Sequence, residues 1–248
     1  MDAFFAAGFG NGAVIETAFV VLLLAFFSYI SHRKKSLSID GIVAACALGA
    51  AIYLLGGMGS FVVMLVFFAV AEFCTKYARA KIGEKHEART YSNILGNGGA
   101  AAISLVLGSP IAFFGAVSSA LADTASSEIG MLSRSKPRLI TTLEKVKVGA
   151  DGGVTVLGFA AAFSGAAIIG CAYLILAENP ALMAANFTLA RNQLVFPIIL
   201  FSGFLGSFID SVLGAVLERK GMLTNAWVNF IASSCGAVAA FMLGSALL

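Results

Sequence analysis

The feature of this sequence that most constrains its fold is a series of apolar segments, each long enough to cross a lipid bilayer. A bilayer core of about 30 Å is crossed by roughly 20 helical residues, and no water is present there to hydrogen-bond an irregular backbone. Of the 248 residues 59% are hydrophobic and 12% are charged, whereas soluble domains average about 25% charged residues. The sequence therefore predicts an all-α, polytopic transmembrane helical bundle that forms a single membrane domain over residues 1–248.

Eight helices account for the apolar segments. They are predicted near residues 13–31, 40–57, 60–75, 93–108, 110–131, 153–177, 194–217 and 224–246. The stretch Gly108-Ser109-Pro110 is interpreted as a tight turn between two helices, because glycine and proline together usually interrupt a chain. The alternative is one long kinked helix, which would change the topology.

The distribution of basic residues supports eight helices. All but one of the 16 lysines and arginines fall in four segments, residues 32–38, 76–89, 134–147 and 219–220. With eight helices the four segments lie on the same side, which the positive-inside rule makes cytoplasmic. Both termini are then expected on the non-cytoplasmic side of the cell (cytoplasmic) membrane, with any active site on the cytoplasmic face.

Two aspartates within predicted helices mark the candidate site. Charged side chains inside a membrane are costly and usually serve a function. Asp123 and Asp210 each lie on a stripe of small residues at helical spacing, and we expect them to share a Mg²⁺ ion. Glu128 lies on another side of the same helix as Asp123 and could be a third metal ligand only if that helix unwinds near Ser126-Ser127. The alternative is close helix packing, with each acid satisfied by a neighbouring hydroxyl or basic group.

Helix N-termini on the cytoplasmic face are candidate phosphate sites, because their free N–H groups and dipoles attract anions. Asn93 with Asn97, and Asn225 with Asn229, are spaced four residues apart at two of these helix starts. Their amides could bind phosphate, and helix capping is the alternative role. A third start carries a glycine-rich turn that lets a phosphate approach the backbone closely. That turn consists of Gly149, Ala150, Asp151, Gly152 and Gly153.

The basic loop 134–147 carries Arg138, Lys145 and Lys147 just before this turn. One interpretation is a polyphosphate clamp, and the other is a solvated loop that only sets the topology. Buried carboxylates, phosphate-binding helix starts and basic groups are together the requirements of phosphoryl transfer. The motif G-x-x-x-x-G-K-[ST] is absent from the sequence, so a P-loop enzyme is excluded.

Five separated segments occur in order along the motif-bearing part of the chain, about residues 75–248. They are Ser119-Ala-Leu-Ala-Asp-Thr-Ala-Ser-Ser-Glu-Ile-Gly130, Pro137-Arg-Leu-Ile-Thr141, Gly149-Ala-Asp-Gly-Gly153, Gly203-Phe-Leu-Gly-Ser-Phe-Ile-Asp-Ser211 and Leu223-Thr-Asn-Ala-Trp-Val-Asn229. Together they resemble the phytyl-phosphate kinase family. This family comprises integral-membrane prenyl-phosphate kinases of vitamin E and phylloquinone metabolism, with uncharacterised prokaryotic and animal relatives.

The resemblance implies an enzyme, a phosphotransferase that uses Mg²⁺ and a nucleoside triphosphate, with CTP expected, to convert an isoprenoid monophosphate into its diphosphate. Expected partners are the nucleotide, the prenyl monophosphate and membrane lipids, and no nucleic acid. The lipid tail would lie between helices, with its phosphate at the cytoplasmic interface. The alternatives are a cytidylyltransferase that forms a CDP-lipid from the same parts, and a membrane transporter.

Overall fold

The computed structural model describes residues 11–83, 88–179, 182 and 193–248. Its helices are α1 (Asn11–Arg33), α2 (Ile39–Ile82), α3 (Tyr91–Val106), α4 (Pro110–Gly130), α5 (Val156–Ala177), α6 (Val195–Leu213) and α7 (Asn225–Leu247). A π-helical turn, Gly214–Glu218, continues α6, and two short strands, β1 (Arg138–Leu139) and β2 (Gly153–Val154), pair antiparallel. The predicted all-α membrane bundle is confirmed.

Helix α2 is folded back on itself. Its backbone leaves the helical region at Gly57, where φ is 76° and ψ is −176°. Lys76 Nζ lies 3.0 Å from Ser36 Oγ, 40 residues earlier in the chain, whereas a straight helix would separate them by about 60 Å. The chain therefore reverses at Gly57, and the two arms correspond to the predicted helices 40–57 and 60–75, the second extending to residue 82.

The connection between α3 and α4 is the predicted tight turn. Gly108 has a φ of 69°, its N–H donates to Leu105 O at 3.0 Å, and the N–H of Ser109 donates to Ser104 O at 2.9 Å. These two bonds form a Schellman motif, which satisfies the last carbonyls of a helix. Pro110 then occupies the first turn of α4, where its missing N–H costs nothing. The alternative of one kinked helix is excluded.

The start of α5 differs from its prediction. Helix was expected from residue 153, but Gly153 and Val154 form β2 against β1. Thr155 then caps the helix, because its Oγ1 accepts a hydrogen bond of 2.9 Å from the Gly158 N–H. Threonine is a favoured N-cap residue, and a two-residue strand is too short to produce a pattern that sequence reading detects.

Helix α4 is the centre of the bundle and packs against α2, α3, α5, α6 and α7. Residues 112–122 are buried without interruption. Small residues permit this packing, because a Cβ on Gly203 of α6 would collide with Ser118, and one on Gly115 would collide with the Gly236 carbonyl of α7. Close approach through small residues is the usual way in which membrane helices associate.

Five segments of the described chain are long and apolar enough to cross a membrane. They are Ala13–Arg33, Ile39–Ile82, Val156–Ala177, Val195–Glu218 and Asn225–Leu247. Helix α3 is short, with 16 residues, and α4 has a small-residue composition that suits a helix enclosed by protein. The most apolar helices therefore surround the more polar α4.

The basic segments meet at one end of the bundle. Leu37 and Arg89, from the first two segments, form a β-bridge, and Arg79 Nε lies 3.6 Å from Glu128 Oε2 near the end of α4. The third segment follows α4, and the fourth joins the π-helical turn to α7. This is the same-side arrangement that eight helices predict. Helix α7 runs away from this end, so the C-terminus lies at the opposite one, while residues 1–10 are outside the described part of the chain.

Replacing Gly57 with alanine is expected to lower the free energy of unfolding by about 1–3 kcal/mol, because only glycine tolerates this φ and ψ. Gly83→Ala is the control, since Gly83 also has a φ of 76° but a ψ of 19° with open space around it. Thermal unfolding in detergent measures both changes. An equal or larger loss in the control would contradict a special role for the reversal at Gly57.

Candidate functional site

A cavity of about 770 Å³ lies at the basic end of the bundle. Its walls come from α2, α3, α4, the glycine-rich turn, the end of α6 with its π-helical turn, and the start of α7. Most of the predicted site residues line it, namely Asn93, Asn97, Asp123, Glu128, Gly149, Asp151, Gly152, Gly153, Asp210, Asn225 and Asn229. Residues that are far apart in the sequence are therefore brought to one concave surface, which is the usual form of a ligand site.

The two aspartates predicted to share a site are adjacent in this cavity. The carboxyl groups of Asp123 and Asp210 lie within hydrogen-bonding reach of each other. The Asn229 amide, oriented to satisfy its neighbours, donates to Asp210 Oδ2 at 3.0 Å and accepts from Asn97 Nδ2 at 3.2 Å. A polar chain thus connects α3, α7, α6 and α4.

Small residues one helical turn before the acids explain this proximity. A Cβ on Gly206 would collide with the Ser119 side chain, so α6 approaches α4 closely at this level. Ser119 Oγ also donates to Ala232 O of α7 at 3.2 Å. Because Ser119 precedes Asp123 by four residues, and Gly206 precedes Asp210 by four, the contact aligns the two carboxyl groups.

Glu128 lies apart from the two aspartates. Helix α4 continues to Gly130, so the unwinding that would turn Glu128 toward Asp123 does not occur. Its Oε2 lies 3.6 Å from Arg79 Nε instead. In residues 11–83, 88–179, 182 and 193–248, no group of three or more His, Cys, Asp or Glu side chains is placed to hold a metal ion.

The remaining oxygen ligands would fit a Mg²⁺ ion that takes its other ligands from outside the protein. Mg²⁺ commonly takes one or two protein carboxylates and completes its octahedron with water and substrate phosphates, which Asp123 and Asp210 can satisfy. Asn97 adds a further oxygen, since the residue is only 7% exposed and its Oδ1 has no hydrogen-bond partner among the described residues. Buried polar atoms usually have a partner, so this atom suggests a ligand.

The asparagines at the helix starts divide between capping and site roles. Asn93 Oδ1 accepts a hydrogen bond of 3.0 Å from the Thr90 N–H, which is the capping alternative. At α7 the N-cap Thr224 makes no side-chain capping bond in the structure described, and the exposed Asn225 is the first helical residue. The N-terminus of α7 is therefore the helix start best suited to an anion.

The glycine-rich turn packs directly on the π-helical turn. Gly149 and Gly152 have φ values of 78° and 71°, which favour glycine. A Cβ on Gly152 would collide with the Ala215 backbone, so the turn is held close to the chain that follows Asp210. π-helical turns within longer helices frequently occur at functional sites.

The predicted basic clamp lies outside the cavity wall. Arg138 Nη1 donates to a backbone carbonyl of its own loop at 2.7 Å, and Lys145 and Lys147 are exposed. Among the described residues, the cations that line the cavity are Arg79 and Arg89, which the sequence identifies only as parts of a basic segment. Arg138, Lys145 and Lys147 therefore lie on the hairpin that leads into the glycine-rich turn, and not in the cavity itself.

Arg89 is held in the cavity wall by two hydrogen bonds. Its Nη2 donates to Thr75 Oγ1 at 3.0 Å, and its backbone N–H donates to Ser36 O at 3.0 Å. Burial lowers the pKa of the Arg89 guanidinium, and the nearby Glu72 and Glu128 oppose this change. Arginine nevertheless remains charged in proteins. Its position directly before the N-cap of α3 is the sequence signal that could have identified it.

The fold and the site together define a polytopic integral membrane protein with an acid-bearing polar cavity at one end of its helical bundle. The model of the family "Integral membrane protein DUF92" matches residues 21–237. The chain therefore belongs to this family. The match includes most of the first two predicted helices, a part of the chain in which the sequence analysis found no family motif.

Three curated relatives cover most of the chain. "Uncharacterized membrane protein MJ0933" of Methanocaldococcus jannaschii is 28% identical over 228 residues, which are 88% of this chain and 90% of the relative. "Protein PGR" of Arabidopsis thaliana is 30% identical over 230 residues, 82% of this chain and 79% of the relative. "Uncharacterized membrane protein sll0875" of Synechocystis is 30% identical over 248 residues, with coverages of 92% and 88%. No solved structure matches the chain.

Gly206→Val is expected to lower the free energy of unfolding by about 1–3 kcal/mol, because the new side chain would push α6 away from Ser119. Ala160→Val is the matched control, since Ala160 lies on the exposed surface of α5. Thermal unfolding in detergent measures both variants. If both are equally stable, the close contact of α4 and α6 does not determine the spacing of the acids.

Proposed function

We propose that this protein is a prenyl-phosphate kinase, which transfers a phosphoryl group from a nucleoside triphosphate to an isoprenoid monophosphate. The observation that carries the proposal is the adjacency of Asp123 and Asp210 in a polar cavity that also contains a free helix start and a glycine-rich turn. The resemblance of five sequence segments to phytyl-phosphate kinases supplies the substrate class and CTP as the expected donor. The names of the relatives from Methanocaldococcus jannaschii and Synechocystis describe membrane proteins without an activity.

Asp123 and Asp210 are the residues that would hold Mg²⁺, with Asn97 Oδ1 as a candidate third oxygen. When bound, the ion would supply charge neutralisation at the phosphate oxygens of the donor. Asn229 donates to Asp210 and so fixes the orientation of that carboxyl group. Glu128 pairs with Arg79 and orients a cation at the cavity wall.

The reaction needs no covalent intermediate on the protein. An oxygen of the prenyl monophosphate attacks the γ-phosphorus, a new P–O bond forms, the bond between the β,γ-bridging oxygen and the γ-phosphorus breaks, and the nucleoside diphosphate leaves. A phosphate monoester is largely ionised at neutral pH, since its second pKa is about 6, so it requires no general base. The protein contributes positioning and charge neutralisation, which are the main sources of catalysis in phosphoryl transfer.

The N-terminus of α7 and the backbone of the glycine-rich turn are the proposed phosphate sites for the nucleotide. Arg79 and Arg89 supply the positive charge within the cavity. By the positive-inside rule this end of the bundle faces the cytoplasm, where nucleotides are available, so we assign the protein to the cytoplasmic membrane. A site at one end of the bundle also differs from the midplane site typical of transporters.

Purified protein in lipid nanodiscs, incubated with Mg²⁺, prenyl monophosphates of several lengths and each nucleoside triphosphate, is expected to form the prenyl diphosphate and a nucleoside diphosphate. Mass spectrometry identifies the products. A CDP-lipid with pyrophosphate would instead establish a cytidylyltransferase. Absence of any product with all combinations would contradict a nucleotide-dependent reaction.

Asp123→Asn and Asp210→Asn are each expected to reduce turnover about ten- to a hundredfold, because each removes a charged group that contributes roughly 1.5–3 kcal/mol. Glu144→Gln is the matched control, because it removes the same charge at an exposed position of the basic loop, away from the cavity. Gel filtration and thermal unfolding show that the variants are folded. Near-normal turnover in either aspartate variant would leave that residue with a packing role.

Lys145→Ala and Lys147→Ala are expected to raise the KM for nucleotide severalfold and to spare kcat, since uniform binding affects KM alone. Both side chains are exposed, so the effect should decline as salt screens them. Steady-state kinetics at low and high ionic strength measure it. Unchanged nucleotide KM values in both variants would restrict the loop to a topological role.

A further inference from the structure

An apolar groove meets the polar cavity on the side opposite the glycine-rich turn. Helix α1, both arms of α2 and helix α3 form it. Its walls include Leu24 and Phe27 of α1, Ala45 and Leu48 of the first arm of α2, and Met64 and Phe68 of the second arm. Three polar residues, Arg89, Asn93 and Asn97, line both the groove and the cavity.

This junction has the chemistry of a site for a charged headgroup. Arg89 is held in place by Thr75 at 3.0 Å, a contact that uses one of the five N–H donors of its guanidinium. Asn97 has its Oδ1 without a partner in the described chain although the residue is more than nine-tenths buried. A guanidinium at the end of an apolar groove complements a phosphate attached to a hydrocarbon chain. Asn97 Oδ1 is an acceptor, so it suits a metal ion bound to that phosphate rather than the phosphate itself.

The packing of α1 suggests that it serves the groove rather than the core. The main apolar core takes its members from α2 to α7, and most of α1 is exposed to the surroundings of the bundle. Its contacts to α2 close the groove, since the rings of Phe27 and Phe68 are 4.5 Å apart and Ser28 Oγ lies 3.0 Å from Cys46 Sγ.

We propose that the groove between α1, α2 and α3 binds the isoprenoid tail of the acceptor, with its phosphate at Arg89. The inference rests on the proposed function for the identity of the headgroup. The acceptor phosphate would then lie on the side of Asp210 to which Asn229 is hydrogen-bonded. The nucleotide would enter from the side of the glycine-rich turn. The two substrates would approach the aspartates from different sides, which suits in-line transfer.

Photolabelling tests this placement without turnover. The probe is farnesyl monophosphate with a diazirine on its terminal isoprene unit, added to the full chain in nanodiscs without nucleotide, and peptide mass spectrometry maps the adducts. Adducts on α1 and on both arms of α2 are expected. Adducts confined to α5, α6 or α7 would overturn the proposal, even if the protein proves to be a prenyl-phosphate kinase.

Ala45→Phe fills the groove and is expected to reduce labelling about tenfold, because the phenylalanine ring would take space that the isoprenoid tail occupies. Ala47→Phe is the matched control, because Ala47 lies two residues away on the exposed face of the same arm. Arg89→Gln should also weaken labelling, and Asp210→Asn should not. Equal labelling of the two phenylalanine variants, both folded by gel filtration, would overturn the proposal.

Competition identifies the occupant. Unlabelled farnesyl monophosphate should suppress the adducts, whereas dioleoyl phosphatidate, with a similar headgroup and two acyl chains, should not. Equal suppression by phosphatidate would overturn the isoprenoid assignment. Labelling in the groove without turnover for any nucleotide would support the groove while contradicting the proposed kinase activity, so the two failures are distinguishable.

Discussion

The close packing of α4 against α6 and α7 is the constraint on which the site depends, because it places two carboxyl groups side by side within a helical bundle. Gly206 against Ser119 sets the distance between α4 and α6, and the Ser119 hydroxyl bonds α7. Adjacent like charges at low dielectric repel strongly. A bound cation or a shared proton would offset the repulsion between Asp123 and Asp210. Structural packing alone gives no reason to place them together.

The arrangement separates the polar and apolar parts of the proposed chemistry. Polar groups gather where α3, α5 and α7 begin, and the most apolar helices surround α4. The π-helical turn Gly214–Glu218 and the glycine-rich turn close one side of the cavity, while Arg89 and Asn97 border the groove on the other. In the proposed reaction, this separation would bring a lipid phosphate to a soluble nucleotide at the bilayer surface.

Several parts of this arrangement follow from local rules and could be predicted. Glycine and proline close together usually end a helix, as Gly108 and Pro110 do here. The position of all four basic segments on one side indicates the number of helices. Asp123, Asp210 and Asn229 stand out because polar groups in apolar helices are costly. The contacts of Glu128 and Arg138, to Arg79 and to a loop carbonyl, could not be predicted, because they depend on side-chain direction, which spacing along the sequence does not determine.

The sequence by itself determined an all-helical membrane protein, the side on which its basic residues lie, and the polar residues that require an explanation, because bilayer crossing is a property of each segment. Only the tertiary structure decided which of those residues meet. Asn97, Asn229 and Asp210 belong to three helices, and their hydrogen bonds exist only in one relative rotation of those helices. The roles proposed for Arg89 and α1 likewise depend on packing, since neither has a motif and both are positioned by neighbours distant in the chain.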